Sequence, residues 1–140
     1  MRLVKDTNVF VSALKSGAGA SRELLLQLLS RKHTPLLGDK LWYEYLDLLG
    51  RADVWQDCEW TPEEREAALD ALAAVCEFVP IFRIWRPNLA DEGDNHIMEL
   101  CINGNAAALV TFNVSDFKGA MFAPAGMGVM PPAEFLKRYL

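Results

Sequence analysis

The chain has 140 residues, 51% of them hydrophobic and 24% charged, with a formal net charge of −5. Those values belong to one soluble globular domain over residues 1–140, large enough for a single core. They argue weakly against a dedicated nucleic-acid-binding module, which carries a basic excess, but not against an enzyme that acts on nucleic acid, since a bound cation would neutralise an acidic pocket locally.

No apolar run approaches the roughly 20 residues that span a bilayer, so no membrane association is expected. The N-terminus, MRLVKDTNVF, is too short and too soon acidic for a secretory signal. The three cysteines, Cys58, Cys76 and Cys101, are odd in number and lack C-x-x-C spacing. Reduced core thiols and a cytoplasmic location follow.

In chain order, residues 2–5 read as a first strand that stops at Asp6-Thr7-Asn8, residues that favour turns. Lys5 interrupts the apolar run and must reach solvent or pair with a carboxylate. After the flexible Ser16-Gly17-Ala18-Gly19, Ser21 is expected to cap a helix to about Lys32, with Leu24, Leu25, Leu28 and Leu29 inward. Thr34 to Leu37 reads as strand 2. Asp39 then caps a helix that turns Leu41, Trp42, Tyr45, Leu48 and Leu49 inward, and Glu44 lies on that stripe or at its margin. Thr61-Pro62-Glu63-Glu64 is a strong helix start, with a cap, a proline in the first turn and a glutamate at the third position. That helix should run to about Glu77. Val79 to Ile84 reads as a short extended run broken by Pro80.

Residues 89–117 form the central stretch. Asp91, Glu92 and Asp94 open it, and Ile97, Met98, Leu100 and Cys101 lie on one helical face. Gly104 is expected to end the helix in the left-handed conformation. A strand from Ala107 to Thr111 follows and breaks into Asn113-Val114-Ser115-Asp116. Val129-Met130 reads as an edge strand, and Pro131-Pro132-Ala133-Glu134 starts a last helix. Strands alternating with helices predict a three-layer α/β/α sandwich around a short parallel sheet. Right-handed crossovers then put every strand's carboxyl end on one edge, where ligands bind. Asp6, Asp94 and Asp116 fall at that edge, and the second helix can deliver Glu44 to it.

Each acid alone has a plain structural reading, as a turn former, a cap or a solvated residue. That reading is preferred for Asp91 and Glu92. Together, several carboxylates at one edge repel unless a divalent cation compensates, and oxygen-only ligation favours Mg²⁺ or Mn²⁺ over Zn²⁺. His33 and His96 read as surface residues. There is no phosphate loop ending in GK[ST] and no G-x-S-x-G elbow.

Asp6-Thr7-Asn8 after strand 1, Glu44 in the second helix, Asp94 opening Asp94-Asn95-His96, and Thr111-Phe112-Asn113 with Asp116-Phe117 together resemble the PIN domain family. More narrowly, the chain resembles the PIN-family toxins of bacterial toxin–antitoxin systems, and its Pro131-to-Leu136 ending is similar to the close of that subgroup. The resemblance covers essentially the whole chain. It implies a metal-dependent endoribonuclease acting on single-stranded RNA. Asp6, Glu44, Asp94 and Asp116 would be its acidic quartet, and Asp6, Asp94 and Asp116 its Mg²⁺ or Mn²⁺ ligands. Asn8, Thr111 and Asn113 would be polar support, with Thr111 and Asn113 holding a phosphate oxygen or fixing Asp116. Arg2, Lys5, Arg22, Lys40, Arg51 and Lys118 are candidates for substrate phosphates. The resemblance also implies a cognate antitoxin and a homodimer, the latter matched by aromatics at Trp42, Tyr43 and Trp55 to Trp60. Relatives often carry an acid where Asn95 stands and an apolar residue where Lys5 stands. The competing readings are a PIN module that binds RNA or protein without cutting, and a small phosphatase or flap-type nuclease using the same acids.

Overall fold

The computed structural model describes every residue except 85 and 87. Its strands are β1 (Arg2–Lys5), β2 (Thr34–Leu37), β3 (Glu77–Phe78), β4 (Ala108–Val110) and β5 (Gly128–Met130). They form one sheet in the order β3-β2-β1-β4-β5, with every neighbouring pair parallel. The helices are α1 (Thr7–Lys15), α2 (Ala20–Leu29), α3 (Asp39–Leu49), α4 (Pro62–Val75), α5 (Asn95–Gly104), α6 (Val114–Lys118) and α7 (Pro132–Arg138).

The topology follows from the crossover rule. The chain steps from β1 to β2 to β3 in one direction, through α1 to α4, and then returns across the sheet through α5 to β4. Because each parallel crossover is right-handed, reversing direction puts α5 on the opposite face. The three-layer sandwich expected from the sequence is the fold observed. The central strands β1 and β4 are buried on both faces: Leu3, Val4, Ala108, Leu109 and Val110 are all fully buried. They pack with Phe10, Leu24, Leu28, Ile97 and Met98 into one core. Apolar strand centres of this kind are what a sheet covered on both sides requires.

Several local expectations are corrected. The residues after Asp6 form helix α1, capped by the Asp6 side chain, which accepts from Thr7 N–H. Helix α2 is capped by Gly19, and Ser21 is buried within it. Gly38 rather than Asp39 precedes α3. The Thr61 capping box is present as expected, with both reciprocal hydrogen bonds made. The third strand is Glu77–Phe78, not Val79 to Ile84, because Leu36 and Leu37 pair with those two residues and Pro80 cannot extend a ladder.

The end of α5 is also different. Asn105 takes the left-handed conformation at φ 51°, and Gly104 stays helical. Gly104 is required for space: a Cβ there would stand 2.6 Å from Leu36 Cδ1 and 3.3 Å from Val79 Cγ2. Asparagine is among the few side chains that accept left-handed backbone readily.

Lys5 neither reaches solvent nor pairs with a carboxylate. It is buried, donates to the Tyr45 hydroxyl at 2.5 Å and lies over the Phe10 and Tyr45 rings. Burial lowers its pKa to about 8. Trp55, one of the aromatics matched to a homodimer, is buried and donates to Leu48 C=O, while Trp60 is half-buried near the Arg22 guanidinium. Tyr43 is the prominently exposed aromatic of that region.

Candidate functional site

The register of β1 against β4 builds the centre of the site. Lys5 lies opposite Val110, so Asp6 and Thr111 leave the sheet side by side. Asp6 N–H donates to Val110 C=O at 2.9 Å, and Thr111 Oγ1 donates to Asp6 Oδ2 at 2.8 Å. The other oxygen, Oδ1, accepts from Thr7 N–H at 2.8 Å. Asp6 is therefore nearly buried with both oxygens held. Burial raises its pKa, opposed by the bonds from Thr111 and Thr7 and assisted by the nearby charge of Glu44.

Thr7 joins this aspartate to α3. Its hydroxyl donates to Glu44 Oε1 at 2.9 Å, and Glu44 Oε2 lies 2.9 Å from His96 Nε2. Glu44 sits at the margin of the α3 stripe, half-exposed, one of the two positions left open by the sequence. Its pKa is lowered, chiefly by the His96 hydrogen bond and further by Thr7. His96 was expected at the surface. It is instead the first-turn residue of α5 that clasps Glu44, with a side chain only 15% exposed.

Asp94 ends a 3-10 turn, Glu92–Asp94, immediately before α5. Asp91 caps that turn by accepting from Gly93 N–H, the plain role expected for it. Burial raises the pKa of Asp94, and the charges of Asp91, Asp6, Asp116 and Glu44 raise it further. Asp94 thus lies within electrostatic reach of the other three acids of the quartet. Asp116 is exposed on α6, just past β4.

The polar support divides by position. Thr111 is fully buried and fixes Asp6, not Asp116. Asn113 has an exposed side chain, while its N–H donates to Thr111 Oγ1 at 3.0 Å. Asn8 Oδ1 is buried without a hydrogen-bond partner, an acceptor left open in the first turn after Asp6. Asn95 is fully buried; its Oδ1 accepts from Leu89 N–H, and its Nδ2 has no hydrogen-bond partner.

Of the basic candidates, Arg2 is held by Gly104 C=O and Glu77, Arg22 by the carbonyls of Ala13 and Leu14, and Arg51 by Asp47. Lys5 is buried. Lys40 and Lys118 are the exposed ones beside the strand ends. Arg86, which carries no pattern in the sequence, pairs through Nε and an amino nitrogen with both oxygens of buried Glu99.

Among the described residues, no three acidic, histidine or cysteine side chains stand close enough to enclose a metal ion by themselves. The donors still fit a hydrated Mg²⁺ or Mn²⁺, which needs only one or two carboxylates and keeps several waters. Asp94 gains from a cation because burial, and then its acidic neighbours, raise the cost of its charge, and the open Asn8 oxygen is a further hard acceptor.

A family model of the PIN domain matches residues 2–115. The structure is similar to VapBC2 from Rickettsia felis, solved bound to a DNA fragment from their promoter. The TM-score is 0.60 at 17% identity, over 92% of this chain and 97% of that one. No curated protein matches the sequence. Among the described residues, no helix is long and apolar enough to cross a membrane.

Proposed function

The chain belongs to the PIN domain family, and from that premise we propose that it is an endoribonuclease dependent on Mg²⁺ or Mn²⁺. It hydrolyses phosphodiester bonds in single-stranded RNA and is the toxin of a toxin–antitoxin pair. The observation that carries the reading is the gathering of Asp6, Glu44, Asp94 and Asp116 at one sheet edge, their charges coupled at Asp94.

Asp6, Asp94 and Asp116 would hold the cation, at most two of them directly and the remainder through its waters. When bound, it lowers the pKa of water and offsets charge on the phosphate under attack. The residues around it supply position. Thr111 and the Thr7 N–H keep Asp6 in one rotamer, so its carboxylate costs no reorganisation during reaction. Glu44 is fixed by Thr7 and His96 through one bond to each oxygen, which leaves one lone pair on each to orient the attacking water and accept its proton. Lys40 and Lys118 lie where a strand crossing the edge brings its phosphates.

The structural similarity to VapBC2 supports a cognate antitoxin as partner. An Arg or Lys of such a partner, laid against Asp6, Asp94 and Asp116, would displace a hydrated cation, since the arginine fork binds carboxylates bidentately. A homodimer in the cytoplasm completes the proposal, and light scattering at micromolar concentration checks the dimer. The test of function is growth together with cleavage. Expression should slow growth and purified protein should cut single-stranded RNA only with Mg²⁺ or Mn²⁺, while Asp94→Asn does neither at equal expression. Equal growth of the two strains and no cleavage by the wild type would leave a binding module instead.

A further inference from the structure

A second feature lies on the same sheet edge as the acids. A cavity of about 240 Å³ opens where β2 and β3 end, bounded by the start of α3, the segment after β3 and the first turns of α5. The acids occupy the carboxyl ends of β1 and β4, and the cavity occupies those of β2 and β3, next in the sheet order. His96 joins the two: its ring lines the cavity and its Nε2 meets Glu44. A single strand with its scissile phosphate at the acids can reach this opening, one strand spacing or two away, about 5–10 Å.

The lining suits a flat, polar-edged ring. Val79, Ile81 and Leu100 give an apolar wall, and Phe78 offers an aromatic ring that is 56% exposed. Polar groups converge at Asp39, Lys40, His96 and the Arg86–Glu99 pair, so donors and acceptors both line the space. Because Glu99 grips two of its nitrogens, the Arg86 guanidinium is a planar cation held in place at the wall. Bases of single-stranded RNA are recognised in this way, splayed out, stacked on aromatic rings or arginine planes, and hydrogen-bonded at their edges. The exposed Lys40 beside the opening matches the phosphate that must accompany such a base.

We propose that this cavity is a nucleobase subsite, which receives an RNA base flanking the cut phosphate and gives the protein its preference for where it cuts. The inference rests on the RNA-cutting reading above and goes beyond it by naming where sequence is read. Phe78 is the stacking residue, and Ile84, 68% exposed at the rim, closes over the base.

The test uses a fluorescein-labelled single-stranded RNA of about 12 nucleotides and a series in which one base at a time is removed to leave an abasic site. Binding is followed by anisotropy with the uncleaving Asp94→Asn chain, and cleavage with the wild-type chain and Mn²⁺. One position should stand out, its abasic RNA binding about tenfold more weakly. Phe78→Ala in the Asp94→Asn background should weaken intact RNA by the same factor and leave that abasic RNA unchanged. Ile84→Ala should do the same to a smaller extent. Both side chains are exposed, so the fold survives their truncation. Independent, multiplying losses would overturn the proposal. So would unchanged RNA binding in Phe78→Ala with weakened binding of a protein partner, which would mark a protein-docking surface. Coupled binding without any cleavage by the wild type would keep the subsite and overturn the nuclease reading. Cleavage indifferent to Phe78 and to every abasic position would keep the nuclease and overturn the subsite. RNA neither bound nor cut would overturn both.

Discussion

His96 Nε2 and Glu44 Oε2 stand 2.9 Å apart, a contact between the first turn of α5 and the middle of α3. With Thr7 on the other oxygen, it fixes the rotation of the Glu44 carboxylate. Removing a partner that orients a group at a metal site typically costs 10- to 100-fold. His96→Ala should therefore lower kcat for RNA cleavage by roughly 10- to 100-fold. His96→Gln, which restores an N–H donor, should recover much of that loss. Steady-state kinetics on the two variants checks this, and equal losses in both would assign His96 a role other than donor.

The acids should trade stability for function. The pKa values of Asp6 and Asp94 are both raised, each primarily by burial. A group with a raised folded pKa stabilises fully below its unfolded pKa and loses that contribution as pH rises through the folded value. At pH 7 both carboxylates are therefore held at a cost. Asp6→Asn and Asp94→Asn should raise the Tm by a few degrees while abolishing metal-dependent cleavage. Asp116→Asn, exposed on α6, should abolish cleavage with little change in Tm. Thermal melts also test the cation directly. Saturating Mn²⁺ should raise the wild-type Tm by mass action and leave Asp94→Asn nearly unmoved.

Lys5 carries a separate pH signature. Its pKa falls from 10.5 to about 8 by burial. Between those values the unfolded chain binds more protons than the folded one, so stability from this group rises with pH across that window. Below about pH 8 the cost is complete, with a ceiling of about 3 kcal/mol at 1.36 kcal/mol per pH unit. Lys5→Met should stabilise the chain at pH 7 and gain progressively less towards pH 10. The Tyr45 hydroxyl keeps Lys5 C=O as an acceptor at 3.3 Å, so the substitution does not orphan it. Urea melts at pH 7 and pH 9.5 measure the difference.

Gly104→Ala should destabilise by about 1–3 kcal/mol. The new Cβ would sit 2.6 Å from Leu36 Cδ1 inside the core, where the leucine has little room to yield. The same change at Gly119, whose Cβ position meets nothing within 4 Å, is the control and should be nearly neutral in a denaturant melt.

The sequence by itself determined what depends on neighbours along the chain. The short apolar pairs Leu3-Val4 and Leu36-Leu37, the Thr61 capping box and the alternation of strand and helix are local signals, and they are enough for a three-layer parallel fold. Parallel topology alone then carries Asp6 and Asp116 to the strand ends, because every crossover returns the chain in the same direction. Tertiary structure decided the rest. Whether Lys5 meets solvent, a carboxylate or a tyrosine depends on Tyr45, 40 residues away. Whether Thr111 serves Asp6 or Asp116 depends on the β1–β4 register. His96 shows no pattern in the sequence, since a lone histidine on a helix looks the same on the surface as against a glutamate. Gly104 and Asn105 divide between them two demands, space beside Leu36 and left-handed backbone, that a sequence reading assigns to the glycine alone. In each case the deciding energy is a contact between elements distant in sequence, and no local propensity encodes it.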